Sequence, residues 1–230
     1  MVDWQKFEAY REVVAYPAEF SKNRFAMETL WKAVQKAEIL YRGWPFIFVD
    51  PEKKQTYAID DSIETVVDIT RVRGYEYFEM WKLRQSGLFF HQALMDEETY
   101  PPATKQGKVL SFEHTVYHIS EAIGSLWHLY TELGIADDEV LTINVTYKGV
   151  KDRNLVVLSP SRAPFIGPQI CRSSEISRER SLPLGEWRAS EVDIASEIIS
   201  EIFQHFQWIE PNLSSIRELA SKTLGKKLFG

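Results

Sequence analysis

A single cysteine, Cys171, stands among 230 residues. That count excludes an internal disulfide and every zinc motif built on paired cysteines, and it fits a reducing compartment. Long apolar runs are also missing. The opening Met1-Val2-Asp3-Trp4-Gln5-Lys6 carries charges, and nothing there has the length of a secretory leader or a membrane span. The expected location is cytoplasmic, with no membrane partner. Positive charge is scarce as well. A formal net charge of -6 argues against bulk attraction to nucleic acid or anionic lipid, although it is compatible with a local basic groove. Three signatures are absent: a Gly-x-x-x-x-Gly-Lys-Ser/Thr phosphate loop, a Gly-x-Gly-x-x-Gly turn after a strand, and a Gly-x-Ser-x-Gly elbow. No cofactor is implied.

What the chain does have is apolar and aromatic mass, 44% and 13% of residues, with 7 Trp and 13 Phe. That is enough buried surface to offset the entropy of ordering one compact core. The expectation is a single domain over residues 1–230, with 1–100 and 108–230 as two similar halves if the element order reflects a duplication.

Hydrophobic spacing gives the order. Trp4 to Tyr16 reads as a short amphipathic helix ended by Pro17. From Arg24 to Tyr41, Phe25, Met27, Leu30, Trp31, Val34, Ala37 and Tyr41 recur at helical spacing. Arg42-Gly43-Trp44-Pro45 breaks that period, since glycine and proline end a helix there. Strands are expected at Phe46 to Val49 and at Thr56 to Ile59 as its hairpin partner across a Pro51 to Gln55 turn, and Ile63 to Thr70 reads as a further strand or a helix. Two more follow, Tyr75 to Leu83 and Leu88 to Leu94. Asp96 to Lys108, with Pro101-Pro102, reads as an exposed loop. Ser111 caps a long helix to Leu133, stopped by Gly134. Leu141 to Lys148 alternates as a half-buried strand, with Leu155 to Leu158 as its hairpin partner and further strand from Gln169 to Ser177. Ser190-Glu191-Val192-Asp193 opens a third long helix, and Asn212 caps a last short one before the tail 226–230. The fold class is α+β, mixed or antiparallel sheets packed against three long helices.

Four sets of residues invite chemistry. On the second long helix His114, His118, Glu121, Ser125 and His128 share one face, and His114, His118 and Glu121 have the spacing of metal ligands. That stripe lies opposite the core stripe Phe112, Val116, Ile119, Ile123, Trp127 and Tyr130, so the plain alternatives are a solvated face or one covered by a partner. Asp68, Glu79 and Lys82 approach the pattern of a metal-dependent nuclease. Their Glu-x-x-Lys spacing, however, puts Glu79 and Lys82 on opposite faces of a regular strand. Arg162, Arg172, Arg178, Arg180 and Arg188, with Trp187 beside them, form a basic stretch interleaved with Glu175, Glu179 and Glu186. It is suited to a protein or nucleic-acid partner, or to plain ion pairing. Trp44, Tyr77 and Trp81 outline a small-molecule pocket, or plain core. Cys171 reads as a small packed residue more readily than as a nucleophile.

Arg42-Gly43-Trp44-Pro45-Phe46, then Trp81-Lys82-Leu83-Arg84-Gln85-Ser86-Gly87-Leu88-Phe89 and the Val145-Thr146-Tyr147-Lys148-Gly149 hairpin, resemble the C-terminal region of bacterial proteins that begin with a Schlafen-type AlbA domain. Those proteins are labelled transcriptional regulators or ATP-binding proteins. The likeness covers most of residues 22–210, and the AlbA domain itself is absent. The resemblance implies no catalytic residues. It implies a non-enzymatic interaction or sensing module that acts with a protein partner, or with a second copy of itself, in a prokaryotic regulatory or defence system. The alternative is a nucleic-acid-binding protein or metal-dependent nuclease.

Overall fold

The computed structural model describes residues 8–50, 55–72, 75–99 and 108–225. Over them the chain is an α+β protein. β1 (Tyr10–Pro17) precedes α1 (Met27–Lys36), β2 (Thr56–Ile59), β3 (Ser62–Val72), β4 (Tyr75–Arg84), β5 (Phe89–Leu94) and the short α2 (Asp96–Thr99). Then come β6 (Val109–Ser111), α3 (Phe112–Glu132), β7 (Val140–Lys148), β8 (Asn154–Val156) and β9 (Glu175–Pro183). Helices α4 (Leu184–Ala189), α5 (Glu191–Gln204) and α6 (Leu213–Gly225) complete the described chain. Seven strands form one antiparallel sheet in the order β2-β3-β4-β5-β1-β7-β9, and β6 pairs with β8 in a small parallel sheet. Because β1 lies between β5 and β7, a single sheet runs through both of the segments 1–100 and 108–230.

The stretch expected to be the first helix is a strand from Tyr10 onward; residues 1–7 lie outside the described part. Its side chains alternate, with Arg11, Val13 and Ala15 buried and Glu12, Val14 and Tyr16 less so. It is hydrogen-bonded along both edges, to β5 and to β7. The β-branched pair Val13-Val14 suits that pleat better than a helix. Phe46 to Val49 is not a strand either. It is an irregular segment that buries Phe46 and Ile47 and offers the Phe48 carbonyl to the indole of Trp81 at 2.9 Å, while β2 takes β3 as its partner. Leu155 does not return against β7: β8 runs parallel to β6. The last strand starts at Glu175, not Gln169, and reaches Pro183.

Strand register fixes what the inner face of the sheet presents to the helices. Leu83, Phe89, Ala15 and Ile143 stand side by side in one row, Trp81, His91, Val13 and Val145 in the next, and Glu79, Ala93, Arg11 and Tyr147 in the third. The face thus passes from wholly apolar to charged within three rows, about 14 Å at the usual rise of a strand. The apolar rows share one core with Ile119, Ala122, Ile123 and Leu126 of α3 and with Ile198, Ile202 and Phe203 of α5.

α3 is the central helix. Ser111 caps it, its hydroxyl accepting from the His114 amide at 3.2 Å, as the sequence predicts. It packs against α1, α4, α5 and α6 as well as β6. At Gly124 a Cβ would stand 2.5 Å from the Tyr41 hydroxyl and 2.7 Å from a Leu224 methyl, so the absence of a side chain there is what lets 41 and α6 close on the helix.

Candidate functional site

The helix face expected to be solvated is covered. Glu121 and Ser125 are buried, and His114 and His118 keep only 16% and 15% of their side-chain surface. A helix crossing the centre of the molecule has no free side, so its polar stripe meets other polar groups. These come from α2 and the Arg42 segment. The segment expected as an exposed loop begins with α2, whose Glu97 is buried; residues 100–107 lie outside the described part.

At this end of α3 the third row of the sheet, α2 and the Arg42 segment enclose a cleft of about 400 Å³, lined by Arg11, Arg42, Gly43, Trp44, Phe46, Tyr77, Glu79, His91, Asp96, His118 and Glu121. Three clusters order it. In the first, Glu79 accepts from the Trp44 indole at 3.0 Å, from the Tyr77 hydroxyl, and from Nε2 of His91 at 2.9 Å. Glu79 and His91 are diagonal neighbours on β4 and β5, a spacing that lets two such side chains touch. Burial pushes the His91 imidazole below its usual value, against the pull of Glu79. Burial, with Glu79 next to it, pushes the Tyr77 phenol well up.

In the second cluster Asp96 lies between Arg11 (3.4 Å) and Nε2 of His118 (2.9 Å), and Arg11 also donates to the Leu94 carbonyl at 2.8 Å. Burial, reinforced by the Arg11 charge, drives the His118 imidazole down to about 3. It is therefore a neutral ring whose Nε2 hydrogen points at Asp96. Burial works against the Asp96 carboxylate, but the hydrogen bond from His118 and the charge of Arg11 more than offset it and hold that carboxyl well below the usual range. In the third cluster Arg42 forks onto both Glu121 oxygens, with Nη2 to Oε2 at 2.9 Å, and lies over the Tyr117 ring at 4.3 Å. Burial raises the Glu121 carboxyl despite that pairing.

His114, His118 and Glu121 are thus brought near one another, but each points at a different partner: His114 Nδ1 at Glu97 (3.3 Å), His118 at Asp96, Glu121 at Arg42. Among the described residues no group of three or more His, Cys, Asp or Glu side chains is placed to hold a metal ion. The nuclease set separates. Glu79 is on the inner face of the sheet, while Asp68 and Lys82 share the outer face with Phe78 and Glu64, and Lys82 reaches Glu64 at 3.3 Å.

The arginine set disperses into ion pairs. Arg178 and Arg180 both grip Glu201 of α5, Arg188 meets Asp137 at 2.6 Å, and Arg172 meets Asp152 at 3.7 Å. Arg162 lies over the Phe112 ring at 5.5 Å. Trp187, expected beside those arginines at a surface for a partner, is wholly buried, and no partner can reach its ring. Of the aromatic trio, Trp44 and Tyr77 line the cleft and Trp81 is core. Cys171 is buried, its thiol pushed up by desolvation.

Arg11, His91 and Asp96 are site residues that periodicity does not single out. The signal that was available is a carboxylate, Glu79, in the otherwise aromatic and aliphatic face Tyr77, Trp81, Leu83. No helix among the described residues is long and apolar enough to cross a membrane. No family model, curated protein or solved structure matches the chain.

Proposed function

We propose that this chain is a non-enzymatic sensing module that binds a small molecule in the cleft and acts with a protein partner in a prokaryotic regulatory or defence setting. One observation carries the reading: β1, the Arg42 segment, β4, β5, α2 and α3 all deliver charged or aromatic side chains to one concave site of about 400 Å³. That volume lies within the common range for ligand pockets, about 300 to 1,000 Å³. Stability does not require such a cluster, since buried ion pairs are often no better than well-packed apolar residues. Binding rather than chemistry is favoured because the lining has no serine, threonine or cysteine nucleophile and its acids, arginines and histidines are engaged with one another.

The partner half of the reading is supported by apolar side chains left in water. Phe165 meets Trp208 edge-on at 4.9 Å. Their chain neighbours Ile166 and Ile209 are 100% and 78% exposed, and the Phe165–Trp208 contact brings the two segments together. The regulatory setting follows the resemblance to the C-terminal region of Schlafen-type AlbA proteins.

A thermal-shift screen of small metabolites tests the proposal. At least one compound class should raise the melting temperature of the wild-type protein and fail to do so for Trp44→Ala, whose ring is 40% exposed and so removable without emptying the core. No stabilising compound, combined with measurable binding of DNA or RNA at about 100 mM salt, would replace this reading with the nucleic-acid one.

A further inference from the structure

The charges around the cleft do not balance. Arg11 faces Asp96 and Arg42 faces Glu121, which leaves Glu79 as the third carboxylate. Glu79 is 2% exposed, and its hydrogen-bond partners among the described residues are an indole, a phenol and an imidazole. The first two are neutral donors, and burial disfavours the charged form of the third. The lining thus sets two guanidiniums, Arg11 and Arg42, against three carboxylates, Glu79, Asp96 and Glu121, and Glu79 is the carboxylate with no guanidinium facing it.

A second observation concerns the other nitrogen of the same imidazole. A carboxylate accepts only, so His91 must donate Nε2–H to Glu79, and in the neutral ring its Nδ1 is left as a lone-pair acceptor. That atom is buried and has no hydrogen-bond partner, in a residue that lines the cleft. Buried acceptors of this kind are rare in folded proteins and call for an explanation. The third observation is the wall. Trp44 stacks on Phe48 (4.4 Å, 20° between planes) and meets Tyr77 edge-on (6.4 Å). Phe46 covers the His91 ring at 4.3 Å. Aromatic faces beside a carboxylate favour a cation over an anion.

We propose that the cleft selects a small organic cation that carries N–H donors, an amidinium, guanidinium or ammonium group on a compact apolar body. Its charge is met by Glu79, one N–H is accepted by Nδ1 of His91, and its body lies against Trp44. The proposal rests on the ligand-sensing reading of the same cleft and adds the chemical class of the ligand. An anion of the same size would face the Glu79 carboxylate, and the two guanidiniums are already turned onto carboxylates.

Three probes of matched shape separate the classes: benzamidine, benzoate and benzyl alcohol, titrated into the full chain with tryptophan fluorescence and calorimetry as readouts. Benzamidine should bind while the other two do not at the same concentration. Glu79→Gln should weaken benzamidine by about tenfold or more, the scale of a lost charge-assisted hydrogen bond. Trp44→Ala, at the exposed rim, should also weaken it, and serves if Glu79→Gln fails to fold. Failure of benzamidine to bind, equal binding of benzoate or benzyl alcohol, or benzamidine affinity unchanged in both variants would each overturn the class assignment. If benzoate or benzyl alcohol binds instead and Trp44→Ala abolishes it, the sensing reading stands with a different ligand. The sensing reading itself fails only if no compound of any charge binds.

Discussion

The two ends of the sheet's inner face use the same strands for opposite purposes. Where Leu83, Phe89, Ala15 and Ile143 align, the face needs only shape and volume, and every one of these residues is wholly buried. Two rows on, Glu79 and Arg11 occupy equivalent positions and need partners from outside the sheet: Trp44 from the Arg42 segment and Asp96 from α2. Close packing tolerates no gap, and buried charge tolerates no missing partner. The first end holds the fold together. The second is held together by it.

The largest effect should come from the apolar end. Phe89→Ala removes a buried ring next to Trp81 (6.3 Å between centroids) and Phe46 (6.1 Å), and should cost about 3 to 5 kcal/mol in urea unfolding. A loss under about 1 kcal/mol would mean that this row is not the packed centre described above. At the charged end, Arg11→Met removes the guanidinium facing Asp96 and should cost roughly 3 kcal/mol, part of it recovered when Asp96→Asn is added, because the buried carboxylate then no longer needs that opposite charge. Additive losses in the double variant would show that Arg11 and Asp96 act separately.

The most selective effect is the response to pH. His118 titrates near 6.5 when unfolded and at about 3 in the fold. Between those values the unfolded chain binds the extra proton, so stability falls as pH drops from 6.5 toward 3. His91 and Asp96, both lowered, act in the same direction. His114, raised by Glu97 and Asp96 against the effect of burial, opposes them: its contribution is present below 6.5 and is lost as pH rises through its folded value. Melting temperatures of wild type and His118→Gln across pH 7.5 to 4 check this. The wild-type slope should be the steeper, and equal slopes would remove His118 from the account.

Much of the layout could be read from period alone. α3 with its Ser111 cap, the alternation of β7, and the apolar face of α5 are local patterns that the tertiary structure reinforces. What failed was non-local. Tyr10 to Pro17 has too few residues to separate helix from strand by spacing, and its identity depends on β5 and β7 lying on either side. Polarity usually marks a surface, so from sequence the histidine stripe of α3 reads as a solvated face, a partner-covered face or a metal site. Here the polar face is matched by α2 and Arg42, distant in sequence and joined to it only through folding. The same holds for the arginines from Arg172 to Arg188, whose acids lie on other elements. Glu79 was legible as an anomaly within an aromatic face, but His91, its partner, was not.

β1 has one more consequence. The strand nearest the start of the described chain takes the middle of the sheet, and its neighbours begin their pairing at Leu94 and Lys148. During synthesis it leaves the ribosome well before either edge that will receive it: Ala15 pairs with Phe89, 74 positions on, and with Ile143, 128 positions on. Contacts this distant in sequence slow folding, and the pairing that carries Arg11 into the cleft is of that kind.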